Sequence, residues 1–304
     1  MVNEVDFRHP AGQGNMPFWM DTLCVPVYKH LKAYRRRCIA NMRRIYKLAA
    51  SVLVLDSALE AIPMSCPAPE RLIRLSQCSW QQRLWTFQES FLANDLFYRF
   101  RDKAIHFDAL GEEAKRYAAA LGSRGKYVDF IQKAQNRTTL GCHIVRSHTD
   151  SILAGTKAPG LRWVAYLPLA VGLSSRRTSR GSDEILCAAT ILGLDLMPFL
   201  NIKVKGLDDD VELDDDLWVR LDQELADRRM ELFLQHIGQF RGDIIFSRVP
   251  RLQQEGYRWA PRSLMGSTNA NLALREFDNE NRAWLCRTGE SIGLGGEVCW
   301  VPST

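Results

Sequence analysis

FWMDTLCVPVYKHLKAYRRRCIANMRRIYKLAASVLVL, residues 18–55, is the stretch that decides the fold. Its first part, Phe18–Val25, is a compact apolar run stopped by Pro26 and reads as a buried strand. From Tyr28 to Ala50, apolar side chains return at Leu31, Tyr34, Cys38, Ile39, Met42, Ile45, Tyr46 and Ala49, which is helical spacing over several turns. SVLVL at 51–55 is a β-branched run ending at Asp56, a second strand. Strand, helix and strand in that order form a right-handed βαβ unit and imply a parallel sheet.

Outward from this stretch, residues 1–17 hold Pro10, Gly12, Gly14 and Pro17 without sustained periodicity, an irregular lead-in. Ile62–Pro69 is a proline-rich loop, and Arg83–Ala93 is a second helix, with Asn94 placed to cap it. Leu96–Phe100 and Ala104–Phe107 form two short strands around a polar turn. Beyond a boundary near residue 110 the character changes. Helices are expected at Gly111–Leu121, Tyr127–Asn136 and Asp183–Leu194, and another from Leu217 to Ile237 behind the acidic run Asp208–Asp216. From Gly242 onwards, short apolar runs between turns suggest β structure.

At 304 residues and 46% hydrophobic, the chain can bury one large core or two ordinary ones. Its eight cysteines make no C-x-x-C pair and no zinc spacing, which fits reduced, buried thiols in an intracellular protein. The amino terminus lacks the layout of a signal peptide. The longest apolar run, Trp163–Leu173, is too short to span a bilayer. A cytoplasmic, soluble protein is expected.

Several signals for other chemistries are weak. Gly289–Gly296 (GESIGLGG) lies too near the carboxyl terminus for a dinucleotide fingerprint and reads as a turn. Gly122–Lys126 is too short for a P-loop, and no G-x-S-x-G elbow occurs. The six histidines are scattered without metal-like spacing. The 28–50 helix carries Lys29, Lys32, Arg35, Arg36, Arg37, Arg43, Arg44 and Lys47 with no acid between Asp21 and Asp56. That is either an anion-binding face or a solvated one, answered by Asp208–Asp216. With no aromatic platform beside it, the solvated face is preferred and no nucleic-acid partner is expected.

Three segments resemble motifs of the fungal heterokaryon-incompatibility (HET) domain family. FWMDTLC at 18–24 resembles its strand motif W-I-D-x-L-C-I-N-Q. Ile39, Met42, Ile45, Tyr46 and Ala49 resemble its next helix, M-x-x-I-Y-x-x-A, and RLWTFQE at 83–89 resembles R-x-W-T-x-Q-E. RRTSRGSDE at 176–184 and YRWAPRSL at 257–264 are similar to segments of longer proteins of this class. The family's opening Y-x-x-L-S-Y-x-W-G segment has no counterpart before Phe18, and Val25–Pro26–Val27 replace I-N-Q. A truncated, regulatory or inactive member is therefore expected.

The resemblance implies an α/β fold: a parallel-sheet, flavodoxin- or TIR-like core over 18–110 lacking its first strand, then a mixed helical and β-rich extension over 111–304. It implies self/non-self recognition and programmed cell death, with protein partners or self-association and no required cofactor. By TIR analogy, NAD is the candidate substrate and Glu89 the candidate catalytic carboxylate. The alternative is a catalytically inactive protein that assembles through an unpaired sheet edge. On a helical wheel, Leu84, Trp85, Phe87, Phe91 and Leu92 form an apolar arc with Gln88 inside it and Glu89 at its edge, one turn from Trp85. A carboxylate beside an indole is partly desolvated and suited to acid–base work, but Glu89 could equally pair with Arg83 or Arg43. Asp21, Cys24, Arg83, Trp85 and Gln88 complete the expected nucleotide-binding set. Asp21 and Cys24 are placed in the second half of the first strand, where open sheets bind ligands, but packing is the preferred reading for Cys24, and Asp21 could hold a backbone turn, a ligand hydroxyl or an arginine, with a structural role preferred.

Overall fold

The computed structural model describes residues 18–120, 169–170, 172–207, 214–237, 239–241, 249–265, 282–285, 291–294 and 297–300. The chain divides into two units: residues 1–80 with 92–135, and residues 81–91 with 136–304.

The first unit corrects the opening of the sequence reading. FWMDTLCV forms no strand; Asp21–Cys24 is a single helical turn, α1, with Val25 N–H bonded to Asp21 O at 2.8 Å. The Asp21 carboxylate accepts from Thr22 N–H at 2.7 Å, a local bond that competes with a strand ladder. A buried strand would also have had to sheathe that carboxylate, and Pro26 removes a donor just beyond. A 3-10 turn, Lys29–Leu31, leads into α2, Lys32–Leu48, within the expected helix. Trp19 packs edge-on against Tyr46 of α2, with ring centroids 5.4 Å apart.

β1 (Val52–Val54) pairs in parallel, though not with residues 18–25. Its partner is β2, Leu96–Arg99, in register Val52 with Leu96 and Val54 with Tyr98. β3 (Ala104–His106) returns antiparallel to β2, and Phe100 N–H closes the hairpin on Lys103 O at 2.8 Å. The sheet order is β1-β2-β3, so the most buried strand, β2, lies in the middle. The parallel element of the prediction is present, carried by β1 and β2.

Four helices separate β1 from β2: α3 (Ser57–Glu60), α4 (Ala68–Gln77), α5 (Ser79–Gln82) and α6 (Trp85–Leu92). The proline-rich loop ends earlier than expected, because Pro67 and Pro69 open α4, where a missing N–H costs nothing. Asp56 caps α3 through Ala58 N–H at 3.0 Å, and its other oxygen accepts from Ser79 Oγ at 2.6 Å and Trp80 N–H at 3.0 Å. Burial pushes this carboxyl up, but the bonds from Ser79, Trp80, Ala58 and Leu59 prevail and hold it below its ordinary range. α7 (Phe107–Ala120) closes the unit, and buried Arg71 of α4 reaches Glu113 of α7 at 2.5 Å. Val54, Leu59, Leu72, Leu75, Trp80, Tyr98, Phe100 and Leu110 form the core.

In the second unit, α8 (Asp183–Leu192) is largely apolar and buried from Glu184 to its end. It stops two residues short of the expected Leu194, because Gly193 turns left-handed at φ 68° and satisfies the last carbonyls. α9 (Met197–Leu200) follows. α10 (Asp215–Ile237) starts where Asp214 accepts from Leu217 N–H at 2.6 Å, as the acidic lead-in predicts. β4 (Gln239–Arg241), β5 (Arg282–Leu285), β6 (Ser291–Leu294) and β7 (Glu297–Trp300) form an antiparallel sheet in chain order. The β-rich carboxyl region is as expected, but Ser291–Leu294 within the glycine-rich segment is a strand, not a turn. The predicted helix at Tyr127–Asn136, and residues 208–213 of the acidic run, lie outside the described residues.

Candidate functional site

The expected site residues are divided between the units. Asp21 and Cys24 belong to the first; Arg83, Trp85, Gln88 and Glu89 belong to the second. Asp21 opens α1, half-buried, and Cys24 closes it, exposed. The Cys24 carbonyl receives the Cys38 thiol at 3.7 Å, so α1 leans on α2 through backbone and ring contacts.

α6 is the organising element of the second unit. Residues 82–84 run alongside Arg177: Leu84 N–H donates to Arg177 O at 2.9 Å and Arg177 N–H to Gln82 O at 2.6 Å. Arg176, only 6% exposed, turns its guanidinium inward. It donates to Arg83 O at 3.0 Å, Thr86 Oγ1 at 2.9 Å and Gln81 Oε1 at 3.0 Å, and lies 5.0 Å over the Phe87 ring. A guanidinium this buried is retained only where its fork of donors is met, and the residues before and within α6 meet it. Gly172 makes room for that ring: a Cβ there would come within 2.1 Å of Phe87 Cζ.

Trp85, half-buried, donates its indole N–H to Asp183 Oδ2 at 3.0 Å. Burial pushes the Asp183 carboxyl up, while Trp85, Arg229 and Arg180 act the other way. Next to it, Ser182 donates its hydroxyl to Asp222 at 2.6 Å, and the Ser182 carbonyl accepts from Arg229 at 2.7 Å. Glu184, 3% exposed, accepts from Ser263 Oγ at 2.6 Å and from Leu264 N–H at 2.5 Å. Burial raises this carboxyl to about 7 against those bonds. Arg262 forks onto Asp227 with two bonds of 2.7 Å.

Gln88 is 1% exposed and Glu89 half-buried, whereas Arg83 points to solvent and contributes through its carbonyl. Cys187 of α8 donates to Leu84 O at 3.5 Å; burial pushes its thiol up to about 12, so it packs and does not attack. No group of His, Cys, Asp and Glu among the described residues is arranged to hold a metal ion.

Comparison of the chain with protein-family models, with curated proteins and with solved structures gives no match.

The network's principal members, Arg176, Asp183, Glu184, Asp222, Asp227, Arg229 and Arg262, were not among the residues the sequence singled out individually. Four of them lie in the quoted RRTSRGSDE and YRWAPRSL segments. Two of the remaining three had a signal of their own. Asp222 and Arg229 lie on the α10 face that carries Leu225, Ala226 and Phe233, and charged residues inside an apolar stripe mark bonded partners.

Proposed function

We propose that the chain is a HET-type signalling protein of self/non-self recognition and programmed cell death, acting by assembly with protein partners. One observation carries this: within each unit, the segments that resemble the family, two of the three motifs in the first and the third motif with the two weaker downstream segments in the second, bind one another physically. In the first unit, Trp19 of FWMDTLC packs on Tyr46 of the following helix motif. In the second, RLWTFQE is joined to RRTSRGSDE through Trp85–Asp183 and Arg176–Thr86. RRTSRGSDE is joined in turn to YRWAPRSL through Glu184–Ser263. Segments that read as a scattered set are partners in two networks, as motif residues with a shared structural task should be.

The same geometry favours assembly over catalysis. Trp85, Thr86, Arg176, Asp183 and Glu184 all have bonds inside the second unit, where they hold the fold. β1 is the edge of its sheet among the described residues, and an edge strand is a template for another chain. The parallel β1–β2 pair supports the flavodoxin-like arrangement that belongs to this proposal.

Glu89 decides between the mechanisms. Expression of the chain in a fungal host, with growth and cellular NAD followed together, separates them. Under the proposal, Glu89→Ala leaves growth arrest intact with NAD unchanged, whereas Trp85→Ala abolishes it. NAD depletion that disappears in Glu89→Ala would establish hydrolysis instead. An inert wild-type chain, expressed at high level alone and with other HET proteins, would refute the signalling assignment.

A further inference from the structure

α2 combines charge and exposure in a way that its packing role does not require. Its inner face buries Met42 and Tyr46. The remainder carries Lys32, Arg35, Arg36, Arg37, Arg43, Arg44 and Lys47 without one acid. Arg37 and Arg44 are exposed and seven residues apart, hence on one line of the outward face, with Arg36 and Lys47 beside them. Tyr34 and Leu48 flank this stripe and recur at the same spacing with Asn41 between them. They are 60% and 71% exposed.

The line of exposed Arg37 and Arg44, with Arg36 beside it, is complementary to an extended anionic surface. The exposed apolar pair identifies which surface. A tyrosine and a leucine rimming a basic stripe match the headgroup boundary of a bilayer, where both enter while the cations stay on the phosphates. A leucine offers a nucleic acid no stacking face. No helix among the described residues is long and apolar enough to cross a membrane, so the contact is with its surface.

We propose that the outward face of α2 docks on an anionic lipid surface, with Arg36, Arg37, Arg44 and Lys47 on the headgroups and Tyr34 and Leu48 inserted between them. The solvated face preferred from the sequence is thereby given a partner.

The full chain is tested by cosedimentation with phosphatidylcholine vesicles, with and without about 30% phosphatidylserine, a composition that sets the surface potential. Binding is expected only with phosphatidylserine, weakening as salt rises. Each cation is worth about fivefold near such a surface, so Arg37→Gln with Arg44→Gln should weaken binding about twenty-five-fold. Leu48→Ser should weaken it severalfold at every salt concentration. Both variants change exposed side chains, and far-UV circular dichroism checks that they fold; single Arg44→Gln serves if the pair does not. Equal binding to uncharged vesicles, no binding to charged ones, or indifference to both variants would overturn the proposal. So would tighter binding to a short DNA duplex that ignores Leu48→Ser, or release by inorganic phosphate beyond that by chloride at equal ionic strength.

Discussion

Trp85 and Asp183 are 98 positions apart in the chain and share one hydrogen bond of 3.0 Å. The bond joins the start of α6 to the start of α8, and the carboxyl it serves is one that burial disfavours as an ion. Trp85→Phe keeps an aromatic side chain, though a smaller one, and removes the donor. It should cost about 1–3 kcal/mol in urea unfolding, the usual penalty for a buried acceptor left unmet. Asp183→Ala, which removes the acceptor, should also destabilise, and the double variant should cost less than the two single losses added. Simple additivity would mean that the bond holds nothing.

Glu184 gives the stability a pH dependence of defined sign. Its folded value, about 7, stands above the ordinary 4.5, so the folded state favours the protonated form. Its contribution is therefore fully present below about 4.5 and is lost as pH rises towards 7, up to about 3 kcal/mol over the interval. Asp183, also raised, adds in the same direction. Urea midpoints at pH 5 and pH 8 should fall between the two for the wild type and fall much less for Glu184→Gln. A wild-type midpoint that climbs over this window would contradict the assignment.

Gly172 is predicted to be irreplaceable while Phe87 stays. A methyl there would meet the ring at 2.1 Å, and the ring is itself held beneath Arg176. Gly172→Ala should destabilise by about 1–3 kcal/mol through overpacking. Combining it with Phe87→Leu should restore part of that loss, as measured by thermal unfolding. A fully tolerated Gly172→Ala would show that the ring has room to move.

Thiol labelling should divide the described cysteines by position. Cys24 is exposed and should react first with a small disulfide reagent. Cys78 and Cys187 are buried, and the Cys187 thiol is raised to about 12, so both should label only on unfolding. Rapid labelling of Cys187 in the native protein would place it outside the core.

Much of the architecture was legible because it is written in local periodicity. α2, β1, the β2–β3 hairpin and α10 follow from apolar spacing and from turn or cap residues in the sequence. Residues 18–25 misled because apolarity over a short run does not distinguish strand from helix, and the deciding contact is the Asp21 carboxylate on its own neighbour. α4 was hidden by Pro67 and Pro69, which resemble loop residues until the helix begins around them. For the site, Trp85 and Gln88 were visible from their place in an apolar arc. Asp183 and Arg176 were not, because what gives them their roles is proximity to α6 across about ninety residues of chain, and no spacing rule reaches that far.

Residues 81–91 belong to one unit while the residues on both sides of them belong to the other. The polypeptide therefore leaves the first unit, contributes RLWTFQ and its neighbours to the second, and comes back before β2 is laid down. A gene rearrangement with a single breakpoint cannot part the two units cleanly. Chimaeras exchanged anywhere between residues 93 and 175 would separate α6 from both Arg176 and Asp183, so a crossover there takes from the second unit the helix that this pair holds.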